Sequence, residues 1–257
     1  MTQLQSSISD TYKYRNACQM AALFDSDFNS FKRNPEYNAI LEHVSEDQGR
    51  QYKQHLDAYF PDYLYKLEQF KENDAYGSPV VFEYEGIGNF SPTTLRYIKV
   101  LSDLSHLFGS LDNFNIIEIG VGYGGQCKVI SDFFNINKYT LVDLDEALNL
   151  TDKYLKKLNV KNVQVVRPLE ITALDKEFDL VISNYAFTEL SRSIQELYLN
   201  KILLRSSHGY MTCNFVSEDF SINSFSLNEL EQRLSIFNIR KLAEFPLTHK
   251  DNTILFW

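Results

Sequence analysis

The sequence predicts an α/β fold, a mostly parallel sheet with helices on both faces, preceded by a helical N-terminal region. Three observations carry this. From Phe114 onward, apolar runs of strand length alternate with stretches of helical period. The first of those runs ends in "GVGYGG", which places Gly120, Gly122, Gly124 and Gly125 within six residues. The last two apolar runs, "IRKLAEFPL" and "NTILFW", are linked by little more than "THKD". That link is too short for a crossover helix, so the two runs are expected to pair antiparallel.

Taken in order, residues 1–110 read as helical. "NAILEHV" and "QYKQHLDAYFPDYLYKLEQF" space apolar residues three and four apart. Pro61 interrupts the second stretch or begins a new helix. "YGSPVVFEYEGIGNF" reads as a break. "SPTTLRYIKVLSDLSHLF" resumes the helical period, with Ser91 as N-cap and Pro92 in the first helical position. Residues 111–257 form the expected sheet-bearing core. "NIIEI", "YTLVDL", "VQVVRP", "FDLVISNY" and "GYMTCNF" are strands. "GGQCKVISDFF", "EALNLTDKYLKKL", "SIQELYLNKILLR" and "LNELEQRLSIF" are helices between or after them. Asp145 is the expected cap of the second of these.

Bulk composition narrows the partners. A chain of 257 residues suggests one large domain or a core with an appendage. At 44% apolar residues it can bury a sizeable core. Its net charge of −9 argues against a nucleic-acid surface, which would cluster Lys and Arg. Cys18, Cys127 and Cys213 are far apart and form no C-x-x-C pair, so neither a zinc site nor a redox motif is suggested. No paired acidic signature names metal ligands. "MTQLQSSISDTYKYR" has no apolar h-region, and no apolar run approaches the ~18 residues of a membrane span. The expected setting is the cytoplasm.

The glycines fit two fingerprints. Gly120, Gly122 and Gly125 fit G-x-G-x-x-G of dinucleotide-binding proteins. Glu118, Gly120, Gly122 and Gly124 fit E-x-G-x-G-x-G of S-adenosylmethionine (SAM) methyltransferases. Both use a tight turn whose backbone N–H groups approach a ligand with no Cβ in the way, at the positive end of a helix. Three features favour SAM over a nicotinamide cofactor. About 140 residues remain from the loop onward, enough for one seven-stranded core but not for a further substrate domain. The closing antiparallel pair is foreign to the dinucleotide fold. Glu118 stands two residues before the first glycine. Asp143, at the end of the second strand, can accept hydrogen bonds from ribose hydroxyls with either cofactor.

"IIEIGVGYGGQ", "YTLVDLDEAL", "FDLVISNYAFTELS" and "GYMTCNF" together resemble the sugar O-methyltransferases of bacterial surface-polysaccharide gene clusters. "GIGNFSPTTLRY" and the terminal "LTHKDNTILFW", with its His-x-x-Asn, extend the resemblance from about Phe31 to Trp257. It implies a Rossmann-like, seven-stranded class I methyltransferase core, SAM as cofactor with S-adenosylhomocysteine as product, and a hydroxyl acceptor on a sugar or sugar-linked capsule precursor. Such an acceptor is nucleotide-linked or phosphorylated. The alternatives are another small capsule precursor, phosphorylated or amidated, and a non-catalytic SAM-binding protein.

Methyl transfer to an alcohol requires alignment and removal of a proton from an oxygen of high pKa. His249, in the resemblance's terminal motif, is the first candidate base. Glu189, after the fourth strand, is the reserve. Glu118, Gly120, Gly122, Gly124 and Asp143 are the candidate cofactor cradle. Asn184 and Tyr185, ending the fourth strand, can reach the methionine moiety or the acceptor. Arg96, on the helix before the core, can pair with the cofactor carboxylate. Asn89 stands in a turn that could cover the cofactor. Leu169 and Glu170, after the third strand, are expected beside adenine.

Overall fold

The computed structural model describes residues 6–257; Met1–Gln5, the start of the N-terminal stretch, lie outside the described residues. Along the chain, α1 (Tyr12–Leu23) starts at Thr11, whose side chain accepts the Tyr14 N–H. Helix α2 (Glu46–Tyr59) opens with a reciprocal Ser45–Gln48 capping box. Pro61 ends it, and a short 3₁₀ stretch, Pro61–Lys66, follows. Strands β1 (Phe82–Tyr84) and β2 (Gly88–Phe90) then pair as a hairpin, where the sequence reads only as a break. Helix α3 (Pro92–Phe108) has Ser91 as its cap and Pro92 in its first turn, as the sequence predicts.

The core follows as β3 (Asn115–Ile119), α4 (Gly125–Phe133), β4 (Lys138–Val142), α5 (Asp145–Lys157), β5 (Val163–Val166) and β6 (Phe178–Asn184). It continues through α6 (Arg192–Lys201), β7 (Ser206–Cys213), α7 (Leu227–Arg233), β8 (Arg240–Ala243) and β9 (Thr253–Phe256). Asp145 is the first helical residue of α5 and not its cap; Leu144 occupies the cap position without a side-chain bond.

The seven strands lie in the order β5-β4-β3-β6-β7-β9-β8. β9 runs antiparallel to both its neighbours, and the remaining pairs are parallel. A seven-stranded sheet is what the resemblance implies, and the antiparallel closing pair is what the short final link predicts. The chain leaves β3 toward β4 on one side and reaches β6 on the other. Such a switch point opens a crevice at the carboxyl ends of the strands.

Successive residues of β3 face opposite ways, as strand geometry requires. Ile116 joins a core cluster with Leu141, Tyr123 and the N-terminal aromatics Phe28, Phe31 and Tyr37. Ile117 joins the other cluster, with Val142, Val181 and Met211. The N-terminal helices therefore share their core with one face of the sheet. That packing brings the 38–52 segment and the start of α3 over the crevice.

Candidate functional site

One cavity of about 1470 Å³ opens at the carboxyl ends of β3, β4, β6 and β7 and the amino end of β9. Its floor is the strand ends, and its roof is supplied by the N-terminal region. Its two halves are built differently.

The first half lies over β3, β4 and β5. Gly120 and Gly122 both have positive φ, 79° and 57°, which only glycine adopts cheaply. A Cβ on Gly120 would run into the Ala186 methyl, and one on Gly122 would stand 2.5 Å from Leu41 Cδ1. The loop is thus pressed between the β6 turn and the roof. The Gly122 N–H donates to Asp143 Oδ2 at 2.9 Å, and the Leu144 N–H to Oδ1 at 2.7 Å. Burial raises the Asp143 carboxyl to about 6, opposed by those backbone donors. Glu118 is buried in the floor and accepts the Tyr139 hydroxyl at 2.7 Å. Burial pushes Glu118 to about 8, with the nearby Asp143 charge adding to the rise.

Two segments cover this half. A wide helical turn, Asn38–Glu42, carries Ile40 and Leu41 over the glycines. A strap, residues 6–15, crosses the crevice above Asp143 and the β6 turn. Ser7 bridges Leu190, and the Ser191 N–H donates to the Ser6 carbonyl at 2.8 Å. At the strap's other end Arg15 pairs with Glu146 on α5 at 2.7 Å and with Asp10 at 2.5 Å.

Arg96 lines the cavity from the second turn of α3 and donates to the Leu41 carbonyl at 3.2 Å. Among the described residues no carboxylate lies within ion-pair distance of it. Burial alone would lower its pKa; the neighbouring Tyr97, Tyr185, Tyr52 and Glu42 raise it instead.

The second half lies over β6, β7 and β9. Tyr185 follows β6 with φ 67° and ψ −37°, a strained conformation for a bulky residue. Its N–H donates to the Thr212 carbonyl at 2.7 Å, and its phenol donates to Glu244 in a short hydrogen bond. Asn184 accepts the Thr212 hydroxyl at 3.2 Å. Glu189 accepts from Asn214 Nδ2 at 2.5 Å, and burial raises its carboxyl while that amide opposes the rise. Glu244 gathers the Thr248 N–H and hydroxyl and Asn252 Nδ2, at 2.8, 2.7 and 2.8 Å. It thereby fastens the loop that carries His249. The His249 side chain is half-exposed on the cavity wall, and its Nδ1 accepts the Asp251 N–H at 3.4 Å.

Of the sequence-predicted residues, Glu118, Gly120, Gly122, Asp143, Leu169, Arg96, Asn184, Tyr185, Glu189 and His249 line this one cavity. Three do not. Gly124, left-handed at the start of α4, faces Thr151 and Leu155 of α5. The Glu170 carboxylate turns back onto the Arg167 N–H at 2.7 Å and is exposed. Asn89 is exposed in β2, opposite Glu83, because the "break" closes on itself as a hairpin away from the crevice.

Sequence reasoning missed Gln48 and Tyr52 on α2, His43, Lys99 on α3, Tyr14 and Arg15 of the strap, Asn214 and Glu244. Asn214 had a signal, as part of "GYMTCNF", and so did Asn252, as the last residue of His-x-x-Asn. Among the described residues no three His, Cys, Asp or Glu side chains converge as metal ligands, and no helix is long and apolar enough to cross a membrane.

No protein-family model matches the chain, and no curated protein matches it. Solved structures do. A Galdieria sulphuraria protein, provisionally assigned as a sarcosine dimethylglycine methyltransferase, is 16% identical over 59% of this chain and 64% of its own, with a TM-score of 0.48. The N-methyltransferase NodS from Bradyrhizobium japonicum WM9, solved with S-adenosylhomocysteine, is 13% identical over 63% of this chain and 83% of its own, at 0.48. Phosphoethanolamine N-methyltransferase 2 of Haemonchus contortus, solved with SAM, is 15% identical over 57% of this chain and 38% of its own, at 0.47.

Proposed function

We propose that the chain is a SAM-dependent O-methyltransferase that methylates a hydroxyl of a sugar or sugar-linked precursor of a bacterial surface polysaccharide. The observation that carries the reading is the Gly120–Gly122 turn tied to Asp143 at the switch point, opening into one cavity that continues over β6, β7 and β9. A pocket for one drug-sized ligand runs to about 300–1,000 Å³. At about 1470 Å³ this cavity has room for a methyl donor and an acceptor together.

The residues of the first half fit SAM. The glycine turn lets backbone approach the ligand, and the lone pairs left on Asp143 can take the ribose hydroxyls. Leu169 and Tyr198 offer apolar surface where adenine would lie, and Arg96 offers an unpaired guanidinium for a carboxylate. Bound SAM supplies an already activated methyl group on a sulfonium. The chain must align the acceptor oxygen and take its proton. Alignment is worth roughly 7–11 kcal/mol in favourable cases, and a general base adds about 10²–10⁴-fold.

We assign the base to Glu189, with His249 second. The Glu189 carboxyl is held by Asn214 on the cavity wall, and its burial makes it more basic than a free glutamate. His249 stands on the outer loop. The acceptor is taken to be a nucleotide-linked or phosphorylated sugar, and the compartment the cytoplasm, in keeping with three free cysteines. The N-terminal region, residues 1–110, acts as lid and substrate wall, and residues 111–257 as the cofactor-binding core.

Calorimetry with S-adenosylhomocysteine and with NADH tests the cofactor, with micromolar-range binding expected for the first alone. Transfer of labelled methyl from SAM to nucleotide sugars tests the acceptor. Tight NADH binding with no heat from S-adenosylhomocysteine overturns the reading.

A further inference from the structure

One face of helix α2 runs out of the cavity. Gln48, Tyr52, His55 and Tyr59 follow one another at spacings of four, three and four, so they share that face. Gln48 and Tyr52 line the second half of the cavity, whereas His55 and Tyr59, one and two turns further on, do not. Outside, the rings form a ladder. The His55 ring meets the Tyr59 ring at 4.9 Å between centroids and the Phe245 ring at 5.4 Å, tilted by 43° and 30°. Phe245 lines the cavity, so the ladder reaches it through this ring as well as along α2. The ladder is also open to solvent: Tyr59 is 75% exposed, Phe245 43%, and His55 part-exposed. A lone exposed aromatic needs no cause, but three touching rings continuous with a cavity do.

The chemistry of the ladder is that of an uncharged π surface. Burial, and next the Lys99 charge, lower the His55 pKa against the opposing Asp103 charge, so the ring is neutral near pH 7. Lys53 and Asp57, its neighbours on α2, are spent on each other at 2.6 Å. Such a surface suits a ligand that is apolar on one face and needs no counter-charge there, as the C–H face of a sugar ring is. The tilts narrow this further. A flat nucleotide base would lie against one ring of a tilted pair, whereas linked sugar rings turn relative to one another and can follow the tilt.

We infer that the Tyr59–His55–Phe245 ladder is an outer subsite that stacks the C–H face of a second sugar ring, linked to the ring methylated inside the cavity. It rests on the sugar methyl-transfer reading above and narrows it to an acceptor of at least two linked rings. The first ring enters the half over β6, β7 and β9, past Tyr52 and Phe245. The next ring stays outside on the ladder. It holds the acceptor by a part that takes no share in the chemistry, so the ladder serves affinity and orientation and not proton transfer.

Calorimetry on the protein loaded with S-adenosylhomocysteine tests this. The probes are glucose, galactose and N-acetylglucosamine, the disaccharides cellobiose, lactose and chitobiose, and uridine monophosphate. At least one disaccharide should bind roughly tenfold tighter than either of its component monosaccharides, the size of one well-stacked ring. Tyr59→Ser should remove most of that gain, and Tyr59→Phe, which keeps the ring, should retain it. In both variants affinity for monosaccharides and for S-adenosylhomocysteine should stay within twofold, because Tyr59 lies outside the cavity. The inference is overturned if no probe sugar binds, if no disaccharide gains over its monosaccharides, or if Tyr59→Ser keeps the gain. Loss of the gain in Tyr59→Phe as well would also overturn it. So would loss of uridine monophosphate binding in Tyr59→Ser, which would assign the ladder to a nucleotide base. Failure to bind S-adenosylhomocysteine itself overturns the methyltransferase reading instead.

Discussion

The two halves of the cavity are made of different materials. The half over β3 and β4 is largely backbone: glycines at positive φ, two N–H groups on Asp143, and a carboxyl buried in the floor. The half over β6, β7 and β9 is made of side chains that hold one another, with Glu244 binding Tyr185, Thr248 and Asn252, and Asn214 binding Glu189. A site made of backbone offers the same donors whatever the neighbouring side chains are, which suits a constant cofactor. A site made of side chains can be respecified one residue at a time, which suits a particular acceptor.

The largest expected effect separates the halves by function. Glu189→Gln should lower turnover ~10²-fold or more if Glu189 takes the acceptor proton. The substitution keeps shape and removes basicity, so affinity for S-adenosylhomocysteine should barely move. His249→Ala should cost much less. Single-turnover rates with saturating SAM and the true acceptor decide between them. A dead His249→Ala beside a nearly normal Glu189→Gln would transfer the base to the outer loop.

The second effect belongs to the backbone half. Asp143→Ala removes a charged hydrogen-bond acceptor and should weaken S-adenosylhomocysteine binding about ten- to a hundredfold, for roughly 1.5–3 kcal/mol. Acceptor binding to the loaded protein should be unchanged. Equal loss of both ligands would mean that the two halves are one site.

The same contrast explains what could be read in advance. "IIEIGVGYGG" and "LVDL" are contiguous, and their chemistry follows from strand, turn and helix order. The parallel sheet and the closing antiparallel pair were legible for that reason, whereas the spatial order of the strands was not. The second half draws Tyr52 from α2, Lys99 from α3, Asn214 from beyond β7 and Asn252 from the last turn. Nothing in the local sequence joins positions so far apart; only tertiary packing does. Asn89 shows the converse. Its glycine-flanked setting looked like a ligand-covering turn, yet the flanking residues pair with each other, Phe82 with Phe90 and Tyr84 with Gly88. Glu244 sits in an unremarkable "LAEFP", and its role exists only through its four bonds.

The third effect is one of pH. Burial raises the Asp143 carboxyl from an ordinary 3.8 to about 6. A raised acid binds its proton more tightly folded than unfolded, so this group's contribution to stability falls as pH rises from about 4 to 6. Cofactor affinity should run the other way, because ribose hydroxyls need the ionised form. From pH 7 to 5 the ionised fraction drops about tenfold for a group of pKa about 6, and affinity should drop similarly. Asp143→Asn should flatten that slope. Glu118, raised to about 8 first by burial, titrates at higher pH, so its influence can be told apart. A slope that survives in Asp143→Asn would assign the dependence elsewhere.

The smallest effect tests where the backbone half ends. Leu169 lines the cavity, and Glu170 beside it does not, because its carboxylate is already committed to the Arg167 N–H at 2.7 Å. That bond closes the first turn after β5, on an exposed surface where water can replace it. Glu170→Ala should therefore cost about 0.5–1 kcal/mol of stability, at the low end of what a lost capping contact costs. S-adenosylhomocysteine affinity should change by less than twofold, whereas Leu169→Ala should weaken it further by uncovering apolar surface. Thermal unfolding with calorimetry on both variants measures the two quantities separately. If Glu170→Ala loses tenfold in affinity at nearly unchanged stability, the carboxylate must leave Arg167 when ligand binds. The boundary between the halves and the solvent would then lie one residue further along the chain, and a side chain would have to be counted among the groups that hold the cofactor.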